Sequence, residues 1–138
     1  MSYSIDVAAA RALATKAHEG QIDKAGLPYI THPERVASRM ENPEAQVIGW
    51  LHDTVEDTPI TLRDIEATFG PETAAAMDAI SRRDGEPWSD YLERVAANPM
   101  ARQVKISDLI DNSNLSRIPH VTLKEMPHNW MVVWRGEF

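Results

Sequence analysis

Apolar residues between two prolines in the middle of the chain follow the spacing of an α-helix, which limits the folds open to this sequence. From Pro43 to Thr58 the apolar positions recur at intervals of one, three and four residues, and they are Val47, Ile48, Leu51 and Val55. Residues at these intervals lie on one face of a helix, and Pro59 provides a stop. We therefore expect one continuous helix over 43–58.

Comparable patterns predict six further helices and give the chain an all-α fold class. Ser4 is placed to cap the first of them, and Thr61 with Asp64 forms a capping pattern before the helix that ends at Gly70. Strand-like sequence is almost absent until the letters MVVW near the end. We therefore expect a helical bundle whose other helices span about 5–18, 33–40, 61–69, 71–81, 87–97 and 99–112.

The size and composition of the chain are those of one ordinary globular domain. Its 138 residues are 43% hydrophobic and 25% charged, so we expect a single domain over 1–138. No run approaches the roughly 18 apolar residues of a membrane span, and the N-terminus lacks the basic start of a signal peptide. We therefore expect a cytoplasmic protein that does not cross a membrane.

Charge and cysteine content limit the ligands that the chain can bind. The net charge of -7 argues against broad nucleic-acid binding, which needs a basic surface to displace counterions. A small anionic ligand stays possible, because local charge sets the field in a cleft. With no cysteine in the sequence, a metal would have to be held by imidazole and carboxylate groups.

The segment LHDTVEDT concentrates four ionisable side chains on the predicted central helix. His52 and Asp53 are neighbours, and Glu56 and Asp57 follow them by one helical turn. Carboxylates this close raise one another's pKa unless a cation lies among them, so a metal would resolve the repulsion. The alternative is an acidic helix face that is simply solvated, which is common for such a run of charges.

Two distant segments favour the metal interpretation. PYITHP places His32 between a proline-bearing loop and a helix start, and VKISDLIDN places Asp108 and Asn112 one turn apart among apolar residues. An aspartate in an apolar stripe usually has a partner. Two imidazoles and two carboxylates with open water positions suit Mn, Fe or Mg better than a closed structural zinc site.

Taken in order, HEGQIDKAGLPYITHPERVA, LHDTVEDTPITLRDIEATFG and VKISDLIDN resemble segments of the HD-domain metal-dependent phosphohydrolases. The closer resemblance is to small alarmone hydrolases and to the ppGpp hydrolase domain of Rel/Spo-type enzymes, and it covers about residues 5–118. It implies an HD-domain helical bundle and a stringent-response enzyme that removes the 3′-diphosphate of (p)ppGpp. The alternatives are an HD-domain phosphohydrolase acting on another nucleotide or phosphomonoester, and a nucleotide-sensing module without catalysis.

The same resemblance implies roles for individual residues. The implied metal is Mn, with Fe, Mg and Zn as alternatives, and its implied ligands are His32, His52, Asp53 and Asp108. Glu56 and Asp57 correspond to the pair that acts on the nucleophilic water. Lys24 corresponds to a basic residue that touches the nucleotide, and Asn112 to a residue that contacts the ribose.

Further candidate substrate contacts each have a second interpretation. Lys105, Arg39 and Arg83 could hold diphosphate charge, or each could be a solvated surface cation. Tyr91 in SDYLER could line a nucleoside pocket or pack in the core. His18 ends the first predicted helix and could cap its C-terminus.

The resemblance fades after about Arg117, and residues 119–138 form a divergent tail. An exposed apolar patch there would need to be covered by the core or by a second subunit, so a homodimer is a reasonable hypothesis; its residues are Trp130, Val132, Val133 and Trp134. The segment after residue 118 is too short for a second domain, so we expect hydrolysis without the synthetase half of the bifunctional enzymes.

Overall fold

The computed structural model describes residues 5–23 and 26–112, which form a bundle of α-helices. In these two ranges the β-structure is confined to one isolated antiparallel bridge between Ile22 and Pro28, which confirms the predicted all-α class. The helices are α1 (Val7–Ala17), α2 (Thr31–Ser38), α3 (Pro43–Leu51), α4 (Thr54–Asp57), α5 (Leu62–Phe69), α6 (Pro71–Ile80), α7 (Trp88–Ala96) and α8 (Pro99–Asn112).

Helix α3 is the central element of the bundle because its second half, from Val47 to Leu51, is buried on every side. It is covered by α1, α2, α6 and α8, and its buried residues are Ala45, Val47, Ile48, Gly49, Trp50 and Leu51. A helix that is hydrophobic all round belongs in a core. Its C-terminal end therefore carries the next two residues, His52 and Asp53, toward the interior.

The crossing of α2 and α3 is close and depends on a glycine. A Cβ atom added at Gly49 would lie 2.8 Å from the Cα atom of Ala37 and 3.1 Å from its Cβ atom. Real Cβ atoms essentially never approach a backbone atom to 2.8 Å. Glycine on one helix and alanine on the other therefore allow the two backbones to meet.

The prediction of one helix over 43–58 is wrong at its centre. Helix α3 ends at Leu51 and α4 begins at Thr54, so that His52 and Asp53 lie in a turn between them. The Thr54 hydroxyl donates to the Leu51 carbonyl at 2.7 Å, and Nδ1 of His52 donates to the Gly49 carbonyl at 2.8 Å. These side-chain donors satisfy carbonyls that a continuous helix would pair with backbone N–H groups, and so they stabilise the break.

The predicted ends of the other helices agree with the structure to within two residues, but the first helix has a different N-cap from the one predicted. Asp6 is the N-cap of α1 and accepts from the Ala9 N–H at 3.0 Å, whereas Ser4 lies outside the described residues. Thr61 and Asp64 form the predicted capping box, with contacts of 3.2 and 2.9 Å. In the described ranges no helix has the length and apolar character to span a membrane.

His18 holds the expected C-cap position of α1, but its side chain points away from the helix end. Its backbone N–H donates to the Ala14 carbonyl. The imidazole is buried, and its Nδ1 atom lies 2.9 Å from Oε1 of Gln21. The ring also packs against Tyr29, with 4.9 Å between centroids. The loop before α2 is thereby anchored to the end of α1.

Candidate metal centre

Four side chains from three separate parts of the chain converge at one point in the bundle. His32 comes from α2, His52 and Asp53 from the turn after α3, and Asp108 from α8. One potential ligand atom from each lies within 4.8 Å of all the others. These are the four residues that the family resemblance of the sequence implied as metal ligands, and the fold brings all of them together.

Both imidazoles face both carboxylates through the same ring nitrogen. Oδ1 of Asp108 is 2.9 Å from Nε2 of His32 and 3.2 Å from Nε2 of His52. Oδ2 of Asp53 is 3.5 Å and 3.1 Å from the same two nitrogens. Two nitrogen and two oxygen donors at one point form a set that divalent transition metals and Mg accept, and no thiolate is needed.

The charges at this point favour a cation. Burial alone would lower the pKa of His52, but Asp53 and Asp108 raise that pKa well above its ordinary value. Burial alone would raise the pKa of Asp108, but Lys105 and His52 hold it well below its usual range. The two carboxylates therefore attract positive charge where both Nε2 atoms lie, and a divalent cation could take the place of an imidazole proton.

The two imidazoles are held by contacts at their other nitrogen. Nδ1 of His52 donates to the Gly49 carbonyl, and Nδ1 of His32 donates to Oδ2 of Asp111 at 2.7 Å. Because a carbonyl oxygen can only accept, the proton of His52 must be on Nδ1 when the ring is neutral. When His32 also carries its proton on Nδ1, the Nε2 atom of each of the two rings has a lone pair available for a metal.

Sequence reasoning missed two residues that contact the predicted ligands. The Tyr29 hydroxyl donates to Oδ2 of Asp53 at 2.5 Å, and burial raises the pKa of Tyr29 so that it remains a donor. Asp111 holds His32 as described above. The three-residue spacing of Asp111 from Asp108 on a predicted helix was a signal that both lie on one face, whereas Tyr29 lies before α2 and its contact with Asp53 had no such signal.

The acidic pair Glu56 and Asp57 lies on α4, at the edge of a cleft of about 820 Å³. Burial raises the pKa of both carboxyl groups, and the charge of Asp53 raises them further. Oε1 of Glu56 accepts from the backbone N–H of Arg82 at 2.5 Å, which fixes the carboxylate at the cleft wall. The cleft is also lined by Leu62 and by side chains between Asp78 and Gly85.

The structure places the predicted substrate residues in different surroundings. Nδ2 of Asn112 donates to Oδ1 of Asp108 at 3.0 Å, and Asn112 is exposed at the end of α8. The hydroxyl of Tyr91 donates to the Ile80 carbonyl at 2.6 Å and the residue is buried, which favours the packing interpretation. Lys24 lies outside the described residues.

Lys105 is neither a solvated cation nor a free anion-binding group. Its ammonium donates to Oδ2 of Asp108 at 2.8 Å, and the side chain is only 12% exposed. The same ammonium lies 5.2 Å from the ring centroid of Tyr91 and 5.5 Å from that of Trp88. Lys105 therefore offsets the charge of a candidate metal ligand.

Comparisons with known proteins agree with this geometry. The HD domain family model matches residues 10–105. The bifunctional (p)ppGpp synthase/hydrolase SpoT of Escherichia coli K12 is 39% identical over 90 residues, covering 62% of this chain and 13% of that protein. The guanosine-3′,5′-bis(diphosphate) 3′-pyrophosphohydrolase of Haemophilus influenzae is 42% identical over 76 residues, covering 52% of this chain and 11% of that protein. This chain thus spans only a small part of these relatives.

A similar solved structure extends the likeness of fold over nearly the whole chain. It is a metazoan ortholog of SpoT, described as hydrolysing ppGpp and acting in starvation responses. The TM-score is 0.70 at 18% sequence identity, with 98% of this chain and 94% of that chain covered. At this identity the likeness to the solved structure shows the fold alone. The HD domain family model matches well over half of the sequence, and this family implies binding of a divalent metal. The chain belongs to the HD domain family.

Proposed function

We propose that this chain is a metal-dependent pyrophosphohydrolase that removes the 3′-diphosphate of (p)ppGpp-type alarmones. The observation that carries the proposal is the convergence of two histidines and two aspartates at one point, with Glu56 and Asp57 three and four residues after Asp53 and on the wall of a cleft. Relatives that match this chain over its HD region bear the name guanosine-3′,5′-bis(diphosphate) 3′-pyrophosphohydrolase, which supports the choice of substrate.

The proposed metal ligands are His32, His52, Asp53 and Asp108, and the proposed metal is Mn. A bound divalent cation supplies a water that ionises near neutral pH, and it offsets negative charge on the phosphoryl oxygens. Fe, Mg and Zn are the alternatives, because the same nitrogen and oxygen donors accept several divalent ions. Tyr29 and Asp111 would hold two of the ligands in place through the contacts at Asp53 and His32.

The proposed reaction is attack of water on the diphosphate at the 3′ position. The water oxygen bonds to the phosphorus next to O3′, the bond from that phosphorus to O3′ breaks, and O3′ leaves with a proton. From ppGpp the products are GDP and pyrophosphate. Glu56 or Asp57 would take the proton from water and return one to O3′, a role that suits carboxyl groups whose pKa is raised toward neutrality.

Asn112 and Lys24 are the proposed nucleotide contacts. Asn112 is exposed one turn after Asp108 and would meet the ribose. Lys24 would contact the nucleotide as the basic residue that precedes His32 in the sequence. Lys105 is paired with Asp108, so its proposed part is to offset the charge of that ligand rather than to contact the diphosphate, and the contacts of Tyr91 favour a packing role for that ring.

A substrate panel with product identification tests the proposed function. Purified protein with Mn is incubated with ppGpp, with other nucleotides including a phosphorylated nicotinamide cofactor, and with a phosphomonoester. Fastest turnover of ppGpp into GDP and pyrophosphate supports the proposal. Faster release of inorganic phosphate from another compound would instead support a different HD phosphohydrolase, and tight metal-dependent binding without any turnover would support a sensing module.

A further inference from the structure

We propose that Asp111 is a positioning residue for the metal centre. Asp111 holds the imidazole of His32, and Arg35 and Arg39 in turn hold Asp111. The proposal rests on the metal site proposed above and is independent of which phosphate ester the centre cleaves. None of these three residues belongs to the four candidate ligands or to the acidic pair.

Asp111 is a buried carboxylate whose two oxygens both have charged donors. Oδ2 accepts from Nδ1 of His32 at 2.7 Å and from a terminal nitrogen of Arg35 at 2.9 Å. Oδ1 accepts from Nε of Arg35 at 2.6 Å and lies 3.5 Å from a terminal nitrogen of Arg39. The two parallel bonds from Arg35 form the bidentate fork that fixes both the position and the plane of a carboxylate.

The fork from Arg35 gives each oxygen of Asp111 a positively charged N–H donor, so this carboxylate acts as the acceptor toward Nδ1 of His32. An ionised carboxylate requires the proton on Nδ1 of His32, which leaves Nε2 for a metal. His52 has only the neutral Gly49 carbonyl at the equivalent nitrogen, so the two histidines differ in how strongly they are held.

The arrangement also sets the position of two helices relative to the centre. Arg35 follows His32 by three residues on α2, and Arg39, seven residues after His32, is the C-cap of that helix, so all three side chains can reach Asp111 from the same side. Asp111 follows Asp108 by three residues on α8, so α8 supplies both one candidate ligand and the carboxylate that holds another. A clamp between α2 and α8 that served stability alone would not need the contact with His32.

Metal titration of chelator-treated protein tests the proposal. Calorimetry with Mn is performed on the wild type, on Asp111→Asn and on Asp6→Asn, a matched control that keeps a good N-cap at the surface of α1. Loss of a carboxylate that holds a metal-binding histidine typically weakens metal affinity about 10- to 100-fold, and we expect a change of that size for Asp111→Asn alone. Asp111→Glu should recover part of the loss because it restores the charge.

Each outcome separates this proposal from the function proposed above. If Asp111→Asn is folded by circular dichroism and binds Mn as tightly as the wild type, Asp111 has only a structural role and the proposal is wrong. If Asp111→Asn does not fold, Arg35→Lys decides, since lysine keeps the charge but loses the fork, and unchanged Mn affinity there overturns the proposal. A wild type that binds no Mn would contradict the metal site itself, whereas one that binds Mn but leaves ppGpp intact would contradict the substrate.

Discussion

Lys105 is a cation held against a candidate metal ligand, and its presence determines how the centre behaves without a metal. Its ammonium contacts Oδ2 of Asp108, a carboxylate that is itself buried. Burial alone would lower the pKa of Lys105, but Asp108 raises it above its ordinary value. A raised pKa means that this stabilisation is present at neutral pH and is lost only as pH rises through the value in the folded protein.

Replacing this cation should destabilise the metal-free protein more than the metal-bound protein. Removing one partner of a buried ion pair costs about 3 kcal/mol or more, so Lys105→Met should lower the free energy of unfolding by that order when Mn is absent. Added Mn should reduce the deficit, because the metal would offset the charge of Asp108. Urea unfolding with and without Mn measures both values, with the exposed Lys16→Met as control. A deficit that is equal in both conditions would count against a metal at Asp108.

Glu56 should carry proton transfer without holding the metal. In Glu56→Gln the amide oxygen can still accept from the Arg82 N–H, so the cleft wall should be preserved. We expect kcat to fall about 10²- to 10⁴-fold with Mn affinity unchanged. Because burial raises the pKa of Glu56 and a general base must be ionised, activity of the wild type should decline as pH falls through a value above the ordinary glutamate pKa of about 4.3.

Steady-state kinetics over pH, together with Mn calorimetry, checks this prediction. Glu66→Gln makes the same chemical change at an exposed position on α5 and should leave both measurements at their wild-type values. Loss of Mn affinity in Glu56→Gln, or full activity with an unchanged pH profile, would remove Glu56 from the proposed role.

At the residue scale, the sequence resemblance named four residues that the fold brings together and missed two residues that contact them. His32, His52, Asp53 and Asp108 are brought together as a set. Tyr29 and Asp111 were overlooked because a tyrosine or an aspartate near a motif is common, and only the folded structure shows which ligand each one contacts. Lys24 and the tail remain predictions, since they lie outside the described residues.

At the scale of the helices, the centre depends on how closely α2 and α3 pack. Gly49 contacts Ala37 at their crossing, and the Gly49 carbonyl also accepts from His52. Helix α2 carries His32, so a shift between these helices would change the separation of the two imidazoles, whose centroids are 5.1 Å apart.

Gly49→Ala should therefore weaken both the fold and the metal centre. Alanine favours a helix over glycine by up to about 1 kcal/mol, but overpacking against a backbone atom costs about 1 to 3 kcal/mol, so we expect net destabilisation. Mn affinity should fall as well, because α2 must move to accept the methyl group. Thermal unfolding and calorimetry test this, with Glu44→Ala at an exposed position of α3 as control. Wild-type stability together with wild-type Mn affinity would show that the close crossing has no influence on the centre.

Helix periodicity predicted these elements well except where side chains compete for backbone carbonyls. The apolar spacing continues through Leu51 and Val55, so it gives no sign of the turn at His52 and Asp53. The break is stabilised by the Thr54 hydroxyl and the His52 imidazole, whose contacts depend on the local three-dimensional arrangement. The capping box at Thr61 was predictable because both of its partners are three residues apart in sequence.

For the whole molecule, the candidate metal centre joins segments that are far apart in the chain. His32 and Asp108 are 76 residues apart in the chain, yet Nε2 of His32 is 2.9 Å from Oδ1 of Asp108. The apolar helix α3 lies between them in sequence. A bundle with one central apolar helix places the end of that helix at the point where α2 and α8 meet. The fold therefore brings the four candidate ligands together. The acidic pair on α4 follows two of these ligands, His52 and Asp53, in the chain. The predicted homodimer concerns residues beyond Asn112 and stays a prediction.

The most direct measurement of the proposed activity is the initial rate of pyrophosphate release from ppGpp by chelator-treated protein, before and after Mn is added. The wild type should release pyrophosphate only with Mn. Asp53→Asn should be slower by at least about a hundredfold, since a correctly held metal contributes several kcal/mol of charge stabilisation. Asp6→Asn should match the wild type. Release without any metal, or equal rates for Asp53→Asn and the wild type, would contradict a metal-dependent pyrophosphohydrolase.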